Sequence, residues 1–216
     1  MGASGKVVDL RNLLAERFPQ AQLPAAMRLR TGLAFFDEAS GGGLPKGSLT
    51  ELISPQISAG SASLIHALLQ IAYRDRYFIA LIDGQDSFDP QPVGNARLRN
   101  LLWVRCGKAA EAIKAADFLL RDGNFPLVIV DLVLNAPNEL RKIPQTSWYR
   151  LQRLVEAAPT ACLVLTRQSM VGSAQLKIVL ESYWTLETFE ETNALEGMRI
   201  RVQRSHLHQV STAGAG

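Results

Sequence analysis

The stretch from Leu49 to Tyr73 constrains the fold most. Leu49 to Ile53 is an apolar run of strand length, and Ser54 to Gly60 is rich in turn formers. Ser61 to Tyr73 returns to helical spacing, with Leu64, Leu68 and Ile71 on one face. Strand, tight loop and helix in that order are the layout of a phosphate-binding loop, in which backbone N–H groups and a helix N-terminus cradle phosphates. The side chains that complete such a loop are missing. A working loop closes on Gly-Lys-Ser/Thr, whereas this one reads Gly60-Ser61-Ala62. Ser61 stands where lysine meets the β- and γ-phosphates. Ala62 stands where a hydroxyl holds magnesium, unless Ser63 takes that place in a shifted register.

The rest of the chain repeats the alternation. Apolar strands are expected at Tyr77–Asp83, Leu101–Val104, Leu127–Asp131 and Ala161–Leu165, with helices at Lys108–Leu120 and Gln145–Ala158 between them. Strands apolar throughout suit a parallel sheet covered on both faces. Leu176–Leu186 and Met198–Gln203 read as an antiparallel pair at one edge. The predicted fold is therefore α/β, with a mainly parallel central sheet flanked by helices and antiparallel edge strands near the C-terminus. Residues 1–28 are assigned to an N-terminal amphipathic helix (Val7 to Phe18) and linker, 29–207 to the core, and 208–216 to a small polar tail. Ligands of such sheets sit at the carboxyl ends of the strands, where Ser54, Asp83, Asp131 and Thr166 fall.

The 216 residues carry a net charge of +3, two cysteines and no apolar run of membrane-spanning length. The N-terminus lacks the apolar segment of a signal peptide, so a cytoplasmic protein is expected, with Cys106 and Cys162 as reduced thiols. His206 and His208 share a strand face, but too few further ligands accompany them for a metal site, and no metal is expected.

Several segments, in order, resemble the RecA-like recombinase core. They are Leu29-Arg-Thr-Gly-Leu-Ala-Phe-Phe-Asp37, Gly42-Gly-Leu-Pro-Lys-Gly47, Glu51-Leu-Ile-Ser-Pro55, Ile82-Asp-Gly-Gln-Asp-Ser-Phe-Asp-Pro90, Val128-Ile-Val-Asp131 and the two late strands. The resemblance implies a RecA-like P-loop core over about residues 29–206. Carried over residue by residue, it implies a degenerate nucleotide site at Ser54, Pro55, Gly60, Ser61, Ala62, Ser63, Gln85, Asp131 and Arg204. Gln85 replaces the glutamate that activates water, and an amide cannot accept that proton. Asp131 is retained, either to help hold a metal or as a strand-end acid capping a neighbouring helix. Arg204 matches one of a basic pair that reaches a neighbouring protomer's phosphates, with His206 at the partner position.

Within that family, Gly41-Gly-Gly-Leu-Pro-Lys-Gly-Ser-Leu-Thr-Glu-Leu52 and Leu151-Gln-Arg-Leu154 resemble the ImuA group, accessory proteins of bacterial mutagenic DNA-damage tolerance. This implies a pseudo-ATPase scaffold in the SOS response and translesion synthesis. It is expected to bind no cofactor, ATP included, and to work with an error-prone, Y-family-like polymerase. Single-stranded DNA is a candidate ligand of Arg141, Lys142, Arg150, Arg153 and Arg167, with Trp148 and Tyr149 as stacking surfaces; the alternative is a buried Trp148 and solvated charges. Two other functions stay open. One is a divergent ATPase that recruits Lys46 or Lys177. The other is a negative regulator that docks on a recombinase through the N-terminal helix, as protomers dock in RecA filaments.

Overall fold

The computed structural model describes residues 28–56, 60–181 and 198–205. The expected N-terminal helix and linker, the link over 187–197, the His206/His208 pair and the tail lie outside the described residues.

Seven strands form one sheet: β3 (Ser48–Ile53), β4 (Ile79–Asp83), β5 (Leu101–Arg105), β6 (Leu127–Asp131), β7 (Ala161–Thr166), β8 (Leu176–Leu180) and β9 (Ile200–Ser205). Their spatial order is β5-β4-β6-β7-β3-β8-β9. The first six run parallel, and β9 closes one edge antiparallel to β8. A separate antiparallel pair, β1 (Arg28–Leu29) and β2 (Leu44–Pro45), precedes the sheet. The helices are α1 (Ala34–Ser40), α2 (Ser61–Arg74), α3 (Asn95–Leu98), α4 (Ala109–Asp122), α5 (Pro137–Leu140) and α6 (Gln145–Glu156). This is the α/β architecture expected from the sequence. No described helix is long and apolar enough to cross a membrane.

The two-residue period of a strand explains why the central strands are apolar throughout. Leu127 and Ile129 of β6 join the core under α2, beside Leu64 and Leu68. Val128 and Val130 join the opposite core under α4 and α6, beside Ala112, Ala116, Leu151 and Val155. All four β6 side chains are fully buried. The sheet is thus the middle of three layers.

The glycine-rich approach to β3 has a steric cause. Gly43 lies at φ +114°, and a Cβ there would sit 2.3 Å from the Leu29 carbonyl oxygen, so only glycine lets β1 and β2 approach. The Thr-Gly…Asp segment is also structural: Asp37 accepts hydrogen bonds from the Thr31 N–H (2.9 Å), the Thr31 hydroxyl (2.7 Å) and the Gly32 N–H (3.1 Å). Several expected boundaries move by one or two residues, among them Met198–Gln203, which becomes Ile200–Ser205. Strand β4 starts at Ile79 rather than Tyr77, because the Tyr77 N–H instead donates to the Ala72 carbonyl and closes the end of α2. Strand β8 ends at Leu180, and residues 182–186 of the expected strand lie outside the described residues.

Candidate nucleotide and nucleic-acid site

The strand register brings the expected site to one edge. Asp83 lies opposite Asp131, Asp131 opposite Leu165, and Ile53 opposite Thr166. The carboxyl ends of β4, β6, β7 and β3 therefore line up side by side. Ser54 follows β3 and is buried. Its N–H donates to the Thr166 carbonyl (2.7 Å) and its hydroxyl to the Gln56 carbonyl (3.0 Å), closing the turn that holds Pro55. Residues 57–59 of the loop lie outside the described residues. Gly60 adopts a left-handed conformation (φ +94°) at the start of α2, and no side chain among the described residues caps that helix. Ser61 is buried, Ala62 is exposed and Ser63 is half-buried. The strand and the helix that flank a phosphate loop are in place, with Ser61 and Ala62 opening the helix.

Asp83 is consumed by the next loop. Its carboxylate accepts from the N–H groups of Ser87 and Phe88 (both 2.8 Å) and Gln85 (3.3 Å), and from the Trp103 indole (3.3 Å). This fixes the turn that carries Gln85 at the edge of the sheet. The Gln85 side-chain oxygen accepts from the Asn135 amide at 3.3 Å. Asn135 is buried and also donates to the Gly84 carbonyl (2.8 Å). A Cβ on Gly84 would meet the Asn135 oxygen at 2.3 Å, so glycine at 84 lets Asn135 come this close. Asp131 accepts from the Val133 N–H at 3.0 Å. Burial pushes its pKa up to about 6; the Val133 N–H opposes this and the Asp83 charge adds to it. Among the described residues no cluster of three or more His, Cys, Asp or Glu side chains is placed to hold a metal.

Lys46 does not reach this edge, and Lys177 is already engaged where it stands. Lys46 precedes β3 at the amino edge of the sheet, where the Gly47 N–H donates to the Thr160 carbonyl. The six residues of β3 separate it from Ser54, a rise of about 20 Å. Lys177 is buried and paired with Glu51 at 2.7 Å. Strand register sets Arg204 opposite Lys177 on β9; its side chain is outside the described residues.

The expected nucleic-acid residues separate into two groups. Arg141, Lys142 and Arg167 are exposed and belong to the loops at the carboxyl edge. Arg150 instead makes a two-point ion pair with Asp117 of α4 (2.6 and 3.2 Å). Arg153 lies farther along α6, towards the amino edge, where the Glu156 and Val155 carbonyls face Gly47. The five charges therefore do not line one edge. Trp148 is fully buried in the core under α4 and α6, so it offers no stacking surface. Tyr149 is 56% exposed and remains available. The sequence reading missed Asn135, which positions Gln85, and the Glu51–Lys177 pair. The only sequence signal for that pair was an acid at strand position 51, between Thr50 and Leu52.

No family model matches the chain. In sequence it is similar to Protein RecA of Frankia alni, 31% identical over 113 residues, which cover 51% of this chain and 32% of that one. Protein RecA of Clavibacter michiganensis subsp. michiganensis is 32% identical over 121 residues, covering 55% of this chain and 32% of the relative. The chain thus spans about a third of the length of the relatives it matches. In structure it is similar to the RadB recombinase, with a TM-score of 0.58 and 16% identity, covering 73% of this chain and 84% of that one. The fold is that of RecA-like recombinases, and about half of the chain is related to RecA in sequence.

Proposed function

We propose that this protein is a RecA-like accessory scaffold of the bacterial DNA-damage response, acting in mutagenic translesion synthesis without turning over ATP. The observation that carries the reading is the pairing of Ser61 with Gln85 in an otherwise retained frame. Serine and glutamine stand at the positions of the phosphate-binding cation and the proton acceptor, while Lys46 lies at the amino edge of the sheet and Lys177 is paired with Glu51. Without those groups, positioning and charge neutralisation of a transferring phosphoryl group are lost. The protein then works by contact. Its partner is an error-prone polymerase of the Y-family type, and the resemblance to the ImuA group supports that choice. Single-stranded DNA is the candidate ligand of Arg141, Lys142 and Arg167 with Tyr149, in a cytoplasmic protein.

A second reading, docking on a recombinase, is favoured by β5. That strand ends the sheet, and among the described residues nothing pairs with its outer side. Such an edge is open to strand addition.

The test is genetic complementation in the source bacterium. Deletion is expected to lower damage-induced mutation frequency, and both the wild-type chain and a Ser61→Ala, Asp131→Asn variant are expected to restore it. Failure of a stably expressed variant to restore it would contradict a role independent of ATP.

A further inference from the structure

Glu51 lies within β3 and is fully buried. A carboxylate there needs compensation on every side, because burying a lone charge is strongly unfavourable. The compensation comes from the end of β7, from the loop that follows it and from Lys177 of β8. One Glu51 oxygen accepts from the Met170 N–H (2.7 Å), the Val171 N–H (3.0 Å) and the Thr166 hydroxyl (3.2 Å). The other accepts from Lys177 (2.7 Å) and the Ser169 hydroxyl (3.4 Å). Lys177 also donates to the Ser169 hydroxyl at 2.8 Å. Val171 is fully buried in the core beneath. A second anchor comes from α6: the Gln145 amide donates to the Met170 carbonyl at 3.1 Å. A Cβ at Gly172 would sit 2.7 Å from the other Gln145 side-chain atom, so the loop fits closely against the helix. Below the same loop, the Thr166 carbonyl receives the Ser54 N–H of the phosphate-loop frame.

We propose that the buried Glu51–Lys177 pair is a built-in lock that holds loop 167–173 in a single conformation whether or not a nucleotide is present. The lock rests on the scaffold reading above and adds its regulation: loop 167–173 is permanently ordered rather than switched. A loop that a ligand must order lacks internal anchors. This one has two, and both belong to the protein. Arg167, exposed at its start, is thereby presented on a fixed support next to Tyr149. Glu51, Lys177 and Gln145 are positioning residues, acting through the loop.

The test is amide hydrogen exchange, read residue by residue on the full chain. In the wild type, the Met170 and Val171 amides are expected to exchange at least about a hundredfold more slowly than unstructured amides. Millimolar ATP with magnesium is expected to leave them unchanged. In Lys177→Met, protection at both residues should fall by about tenfold or more while the β6 amides keep theirs, and Lys177→Arg should retain most of it. Rapid wild-type exchange at Met170 and Val171 would overturn the lock, as would a tenfold slowing on addition of ATP. The wild-type arms decide the matter even if a variant fails to fold. Should a calorimeter register ATP binding while exchange stays slow and unchanged, the lock stands and the nucleotide-free reading alone fails.

Discussion

Asp131 offers the sharpest electrostatic prediction. Its pKa rises from 3.8 to about 6, chiefly through burial, with the Val133 N–H opposing and Asp83 adding to the rise. A folded value above the unfolded one means that the native state holds the proton more tightly. The associated stability is complete below about pH 4 and is lost as pH rises through 6. At pH 8 the ionised carboxylate is therefore a burden on the fold. A gap of roughly two units corresponds to about 3 kcal/mol at ~1.36 kcal/mol per unit. Asp131→Asn keeps an oxygen to accept from Val133 and removes the charge. It is expected to stabilise the protein at pH 8 by about 1–3 kcal/mol and to change little at pH 4. Urea unfolding followed by circular dichroism from pH 4 to pH 8 measures the difference. A variant less stable than the wild type at pH 8 would refute the reasoning, since the anion would then be the favoured native form.

The other predictions concern the edge loops and the approach to the sheet. Replacing Arg141, Lys142 and Arg167 by alanine should weaken single-stranded DNA binding and flatten its logarithmic salt slope by about 2, at ~0.7 per phosphate contact. Arg150→Ala should leave that slope unchanged, because its charge is already paired with Asp117; fluorescence anisotropy across a salt series separates the two. Trp148→Ala should cost about 3–5 kcal/mol in chemical denaturation, as expected for a large core aromatic. Gly43→Ala should destabilise by about 2 kcal/mol or more, because its Cβ would strike the Leu29 carbonyl.

The architecture was legible because its signals are local. Leu127, Val128, Ile129 and Val130 are apolar at every successive position, and a sheet covered on both faces requires that. The strand-end acids could be read in place, and the register sets the strand ends that carry Ser54, Asp83, Asp131 and Thr166 along one edge. What stayed hidden depends on contacts between distant segments. Glu51 shows only as an acid in a strand, and its donors come from residues 166–177. Arg150 looks free until α4 sets Asp117 beside it. Trp148 fits both an apolar stripe and a stacking surface, and only helix packing decides for the core. Lys46 stands close to the loop in sequence but across the length of β3 in space.

The central claim is that the phosphate-loop frame no longer serves ATP. Isothermal titration calorimetry of the full chain with ATP and magnesium tests it most directly. No heat of binding is expected at millimolar nucleotide. A magnesium-dependent isotherm in the micromolar range, abolished by changing Asp131, would contradict it.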